Sequence, residues 1–107
     1  MEKMNRSQVV AAVSERLRMS QATVRAVIDA FLEEVERALR RRREVRLSGF
    51  GAFVMRRRGA RPGRNLRSGE VIVQPEQEVP VFRSSEKMRQ RVAKAISMEG
   101  ENGNGAE

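Results

Sequence analysis

The sequence predicts an α+β fold in which helices at both ends of the chain enclose a small antiparallel sheet and a long polar arm. Three observations predict it. Apolar residues recur at helical spacing up to Arg43, the period switches to alternation from Val45, and the stretch Met55 to Gly69 holds almost nothing that can be buried. The 107 residues have room for one domain, 1–96, and four Phe with neither Trp nor Tyr leave a core that is thin for a monomer.

The helical hairpin, 5–43, opens after Asn5, where Asn followed three residues later by Gln8 has the pattern of a capping box, and Val9 or Val10, Val13 and Leu17 then share a face. Met19-Ser20 breaks this helix. Ser20 suits the cap of a second, longer one, on which Val24, Val27, Ile28, Phe31, Val35, Ala38 and Leu39 repeat with helical period while Asp29, Glu33, Glu34 and Glu36 keep mostly to other faces.

The sheet and arm occupy 44–82. Val45 and Leu47 alternate with polar residues before the run Gly49-Phe50-Gly51-Ala52-Phe53, which reads as a strand pair joined by a tight connection. Both glycines are expected to supply unusual backbone angles there, and Phe50 and Phe53 to enter the adjoining core. Gly59, Pro62, Gly63 and Gly69 then punctuate the polar stretch, and strand character resumes at Glu70-Val71-Ile72-Val73. The simplest arrangement is a long hairpin projecting into solvent with its tip at Asn65 to Gly69. Val79-Pro80-Val81-Phe82 is a short strand that Pro80 confines to an edge or a strand end.

A C-terminal helix, 84–96, can be capped by Ser84 or Ser85; Met88, Val92, Ala95 and Ile96 form its apolar stripe, and Lys87, Arg89, Arg91 and Lys94 keep the exposed side basic. The remainder, 97–107, is expected to be a disordered tail, since EGENGNGAE offers nothing but Ala106 to anchor it.

Charge is concentrated rather than spread. Arg40 to Arg67 holds eleven arginines against one acid, Glu44, whereas the rest of the chain is slightly acidic, so one segment carries the whole positive excess of +8. Such a stripe attracts a polyanion. The bland reading of Arg56 to Arg67, a solvated loop, does not explain the turn residues that frame it or the apolar strands that flank it. Arg40 to Arg43 differ: closing a helix, they complement its dipole at least as well as they serve a ligand, a localisation signal being a third reading. Phe50, Phe53 and Phe82 could stack on bases but sit in strand contexts that favour core packing. The methionines read as core filler, or at Met1 and Met4 as alternative starts.

With no Cys and no His, disulfides, thiolate and imidazole chemistry and nearly all transition-metal sites are excluded, and no cofactor or small-molecule substrate is implied. The carboxylates Glu33, Glu34 and Glu36 lie on one helix surface without a pocket, so no enzyme is expected. No apolar run approaches the length of about 18 residues that suggests a membrane span, and the start MEKMNRSQ lacks a signal peptide's apolar stretch. A soluble, cytoplasmic protein without a membrane partner is expected.

The element order, together with Leu47-Ser48-Gly49-Phe50-Gly51-Ala52-Phe53 and Arg61-Pro62-Gly63-Arg64-Asn65, resembles the HU and integration host factor family of histone-like DNA-bending proteins from about Met4 to Ile96. Ser48 before Gly-Phe-Gly and the Arg-Pro-Gly-Arg-Asn form look closer to the integration host factor alpha branch. The resemblance implies an intertwined dimer, homodimeric or heterodimeric, with a helical base and two β-ribbon arms that embrace double-stranded DNA in the nucleoid. It places Arg56, Arg58, Arg61, Pro62, Arg64, Asn65 and Arg67 along the arm in or beside the minor groove, and Arg46, Ser48, Arg83 and Lys87 on flanking phosphates.

One departure stands out: the family usually has proline after the Arg-Asn pair, as a wedge between base steps, and this chain has Leu66. Leucine is an accepted intercalating side chain. It lacks proline's fixed backbone angle and loses about 0.5 to 1 kcal/mol of side-chain entropy when immobilised, so a shallower or less defined bend is expected. Competing readings are a packaging protein that coats DNA without discrete kinks, a site-specific host-factor-type subunit, and an RNA binder, for which A-form groove geometry is unsuited to such an arm.

Overall fold

The computed structural model describes residues 1–102 and divides into two compact units, Met1–Ala38 and Leu39–Glu107. In the first, α1 (Arg6–Leu17) begins at the expected capping box: the Gln8 N–H donates to Asn5 Oδ1 at 2.9 Å and the Asn5 N–H to Gln8 Oε1 at 2.8 Å. The helix stops at Leu17, just before the expected break, because Arg18 turns into the left-handed region at φ 57°. Met19 N–H then donates to the Ser14 carbonyl, and the buried Ser14 hydroxyl donates to the Met19 carbonyl at 2.5 Å, so the chain reversal leaves no buried polar group open.

Ser20 caps α2 (Gln21–Arg40) by accepting the Thr23 N–H at 3.1 Å. Arg6 meets Asp29 at 3.1 Å and Arg25 donates to Ser7, but these contacts are exposed and contribute at most about 1 kcal/mol each. Burial of Val10 and Val24 holds the hairpin more firmly. Past Arg40, Arg42 takes φ 59° and donates its N–H to Leu39. A side chain in that region costs on the order of 1 kcal/mol, and an ion pair between Arg42 and Glu78 offsets part of it.

The second unit contains a three-stranded antiparallel sheet of β1 (Val45–Leu47), β2 (Gly51–Arg58) and, further along the chain, β5 (Gln77–Ser84), in the order β1-β2-β5. Gly49 has the expected positive φ of 76°, and Phe50 donates its N–H to Leu47 across the turn. Gly51 is a correction. Its backbone is ordinary strand, and glycine is needed for close approach: a Cβ would stand 2.5 Å from both the Arg83 carbonyl oxygen and the Phe82 ring. Phe82 lies against Phe50 and Phe53, with centroids 5.4 and 5.0 Å away. Pro80 sits inside β5, opposite Met55, which the strand's place at the sheet edge permits.

Between β2 and β5 the chain forms a second ladder, β3 (Arg61–Arg64) against β4 (Val71–Gln74). Ser85 caps α3 (Glu86–Asn102), accepting the Met88 N–H at 3.0 Å, while its own N–H donates to Phe50. Arg91 reaches back to the Gly49 carbonyl at 2.7 Å, tying the helix to the β1–β2 turn. Arg89 hydrogen-bonds Glu86 and holds that carboxyl below its usual range. The helix continues past Ile96, where the sequence reading ended it. Ser97, Met98 and Glu99 are adequate helix formers, and Gly100 weakens a helix without forbidding it, so the want of apolar anchors does not stop the helix at 96. Residues 103–107 of that expected tail lie outside the described residues.

Among the described residues the buried apolar side chains are Val10, Val24, Val35 and Val54. Positions whose period marked them as core, among them Val27, Phe31, Phe82 and Ile96, stay 62, 41, 40 and 64% exposed in the single chain. Helical spacing on α2 and α3 and strand alternation around Phe82 singled these positions out as apolar, and in the single chain they remain accessible.

Candidate nucleic-acid interface

The arm is a single ribbon built from two ladders in one register. The β2–β5 pairing ends at Arg58 opposite Gln77 and the β3–β4 pairing starts at Arg61 opposite Gln74, so each strand skips two residues, Gly59-Ala60 on one and Pro75-Glu76 on the other. Equal gaps mean no bulge. An even gap also preserves the alternation of faces.

Residues opposite one another in the ladder share a face. One face carries Arg46, Ala52 and Arg83 in a row across three strands, then Val54 with Val81, Arg56 with Val79, Arg58 with Gln77, and in the outer ladder Pro62 with Val73 and Arg64 with Val71. The opposite face carries Val45, Leu47, Phe53 and Phe82 near the sheet, then Arg57 and Glu78, and Arg61 further out. The candidate residues therefore separate: Arg46, Arg83, Arg56, Arg58, Pro62 and Arg64 lie together, while Arg61 lies behind them. The strand boundaries needed to see this alternation were not legible in a run as uniform as Arg56-Arg57-Arg58.

Charge is divided differently. Arg57 faces Glu76 at 3.7 Å. Among the described residues no carboxylate pairs with Arg56, Arg58, Arg61, Arg64, Arg67 or Arg83, so their positive charge is not neutralised by the protein, although Arg64 spends one donor on the Gly69 carbonyl. Arg46 is different, because its Nε is held by Glu44 at 3.0 Å. Beside it the row Arg46–Ala52–Arg83 borders a concavity that Ser48, Ser84 and Ser85 also line. Alanine between two arginines leaves that floor open.

The tip is where the sequence placed it. Asn65 donates its N–H to Glu70 at 2.8 Å and accepts the Gly69 N–H on its carbonyl, while its side-chain oxygen accepts from the N–H groups of Arg67 and Ser68. The Asn65 amide is therefore half structural: its oxygen closes the turn, and its NH2 remains to donate outward. Gly69 takes φ 76° and Arg64 reaches its carbonyl at 3.4 Å. Leu66 stands 98% exposed at the apex. Lys87 sits away from the arm on α3, on a basic surface with Gln90, Arg91 and Lys94 that the helical period had indicated. Among the described residues no cluster of acidic side chains could hold a metal ion, and no helix is long and apolar enough to cross a membrane.

Comparison with known proteins returns a consistent set. The family model for bacterial DNA-binding protein matches residues 4–93. The DNA-binding protein HU of Clostridium pasteurianum is 36% identical over 91 residues, covering 85% of this chain and 100% of the relative. Integration host factor subunit alpha of Glaesserella parasuis serovar 5 is 40% identical over 81 residues, covering 76% and 83%. In an Anabaena HU–DNA cocrystal structure the HU chain superposes with a TM-score of 0.78 at 37% identity, over 84% of this chain and 98% of that one. HU from Thermotoga maritima, at 20% identity and a TM-score of 0.60, has the same fold over 83% of this chain and 98% of its own.

Proposed function

Because this chain belongs to the bacterial DNA-binding protein family of HU and integration host factor, we propose that it is an architectural protein that binds and bends double-stranded DNA as a homodimer in the nucleoid of the cytoplasm. The observation that carries this reading is the arm: a regular two-stranded ribbon whose outward guanidiniums have no carboxylate partner among the described residues. Its role is mechanical, and it has no catalytic step.

In this reading the ribbon lies along the minor groove with Arg58, Pro62 and Arg64 toward its floor, Arg61 and Arg67 toward its walls, and Arg56 flanking it at the arm root. A groove that offers mainly acceptors and a width to be read suits such a donor-rich ribbon. Arg83, Ser48, Lys87 and, once released from Glu44, Arg46 hold the flanking phosphates. Leu66 enters a base step with less preorganisation than a proline would bring. The two compact units act as one domain, 1–96; the family match spans both. The exposed apolar positions on α2, α3 and around Phe82 are covered by a second copy, which supplies the burial that four valines cannot.

If six to ten phosphates are contacted, affinity should fall by about 10³ to 10⁵ between 50 and 200 mM salt. Titration of a duplex at the two salt levels, repeated with Arg61 and Arg64 replaced by Ala, tests this. Affinity that barely responds to either change removes the proposal. Sedimentation of the protein alone tests the homodimer, and a monomer at micromolar concentration would contradict it.

A further inference from the structure

The arginine run that closes α2 and forms the turn after it, Arg40 to Arg43, is not absorbed by the arm, and one of its members does more than complement the helix dipole. Arg42 points instead to β5, where it pairs with Glu78. That pair straps the turn to the root of the ribbon, beside the stretch of β2 that extends beyond the end of β1. Between turn and ribbon lies a concavity of about 300 Å³ whose charged lining is Arg42, Arg43, Glu44, Arg56, Arg57 and Glu78.

The charges in it can be assigned one by one. Glu78 is engaged by Arg42, and Glu44 by Arg46. Arg57 turns to Glu76. Both carboxylates of the concavity are therefore committed, and Arg43 and Arg56 are left without a carboxylate among the described residues. Two uncompensated guanidiniums lining one exposed hollow favour an anion there, and Arg56 already belongs to the face that continues into the arm. A planar fork on each side suits a phosphodiester's two free oxygens.

We propose that Arg43 and Arg56 form a backbone clamp at the arm root, gripping a phosphate of the same duplex the arm enters, with Arg42 as the positioning residue that holds the turn in place. The clamp rests on the DNA-binding reading and extends it to a segment outside the arm. It fixes where the ribbon enters the groove, and it reads no base.

The test is a salt series from 50 to 200 mM on a duplex with Arg43→Ala, with Arg37→Ala, whose side chain pairs with Glu34 on α2, as a control. Circular dichroism confirms that each variant folds. One lost phosphate contact should reduce the slope of log affinity against log salt by about 0.9 per protomer, so the advantage of the parent shrinks about 3.5-fold per protomer across the series. The effect should be equal for A-tract and random duplexes, Arg43→Lys should restore the slope, and Arg37→Ala should leave it unchanged. A parental slope in Arg43→Ala overturns the clamp, as does an effect confined to one duplex sequence. If Arg61→Ala and Arg64→Ala reduce the slope while Arg43→Ala does not, the clamp alone fails; if none of them does, the DNA reading fails with it.

Discussion

Between Gly51 and Met55 the β2–β5 ladder holds aromatic rings, a close-packed glycine and a buried valine, whereas from Arg56 outward the same ladder, in the same register, carries guanidiniums into solvent. Backbone pairing is common to both halves. What differs is the source of order: the inner half is fixed by packing, while the outer half has only its ladder and the Asn65 turn. A ribbon this exposed gains little from burial on its own chain, so its order rests on backbone pairing and the tip turn.

That contrast can be broken at either end. The largest effect on stability should come from Gly51→Val, where a side chain would displace the Arg83 carbonyl and the Phe82 ring; a loss of about 3 kcal/mol is expected in urea unfolding. Phe82→Ala should cost about 2 kcal/mol, less than a fully buried ring because 40% of it is exposed. On dimerisation the cost would rise. Asn65→Ala removes the acceptor of two tip N–H groups and should accelerate amide exchange at Arg67 and Ser68, with a change in global stability below about 0.5 kcal/mol. Equal losses for Asn65→Ala and Gly51→Val would erase the distinction between the halves. Smallest of all, Glu76→Gln should shift stability by no more than a few tenths of a kcal/mol, since the pair it removes is exposed and long at 3.7 Å. The tip itself is sharpened by Leu66→Pro: a bending assay should give a deeper or narrower distribution of angles, and identical distributions would mean that the apex is not the source of the kink.

Much of this was legible in the sequence because it rests on local chemistry. Asn5 with Gln8, Ser20, the Gly49 turn and the Asn65–Gly69 tip are short-range arrangements in which a residue type and its backbone angle nearly determine each other. Gly51 was not legible, because its reason is a strand more than thirty residues away in the chain. Nor was the separation of Arg61 from Arg56, Arg58 and Arg64, which depends on a register that identical side chains cannot announce. Arg42 hid for a related cause: a left-handed residue is foreseen from glycine or asparagine, and an arginine gives no such signal. The exposed Val27 and Phe31 mark the same limit, since periodicity finds a face and tertiary or quaternary packing decides its cover.

The paired omission at Gly59-Ala60 and Pro75-Glu76 has a mechanical meaning. Pro75 has no amide hydrogen to give, and no ladder pairing joins the strands there, so that elbow has less backbone pairing to hold it than the ladders on either side. Since nothing is inserted or deleted across it, a bend there would re-aim the outer finger without turning its palm, and in the proposed role the same side chains would then meet grooves of unequal breadth.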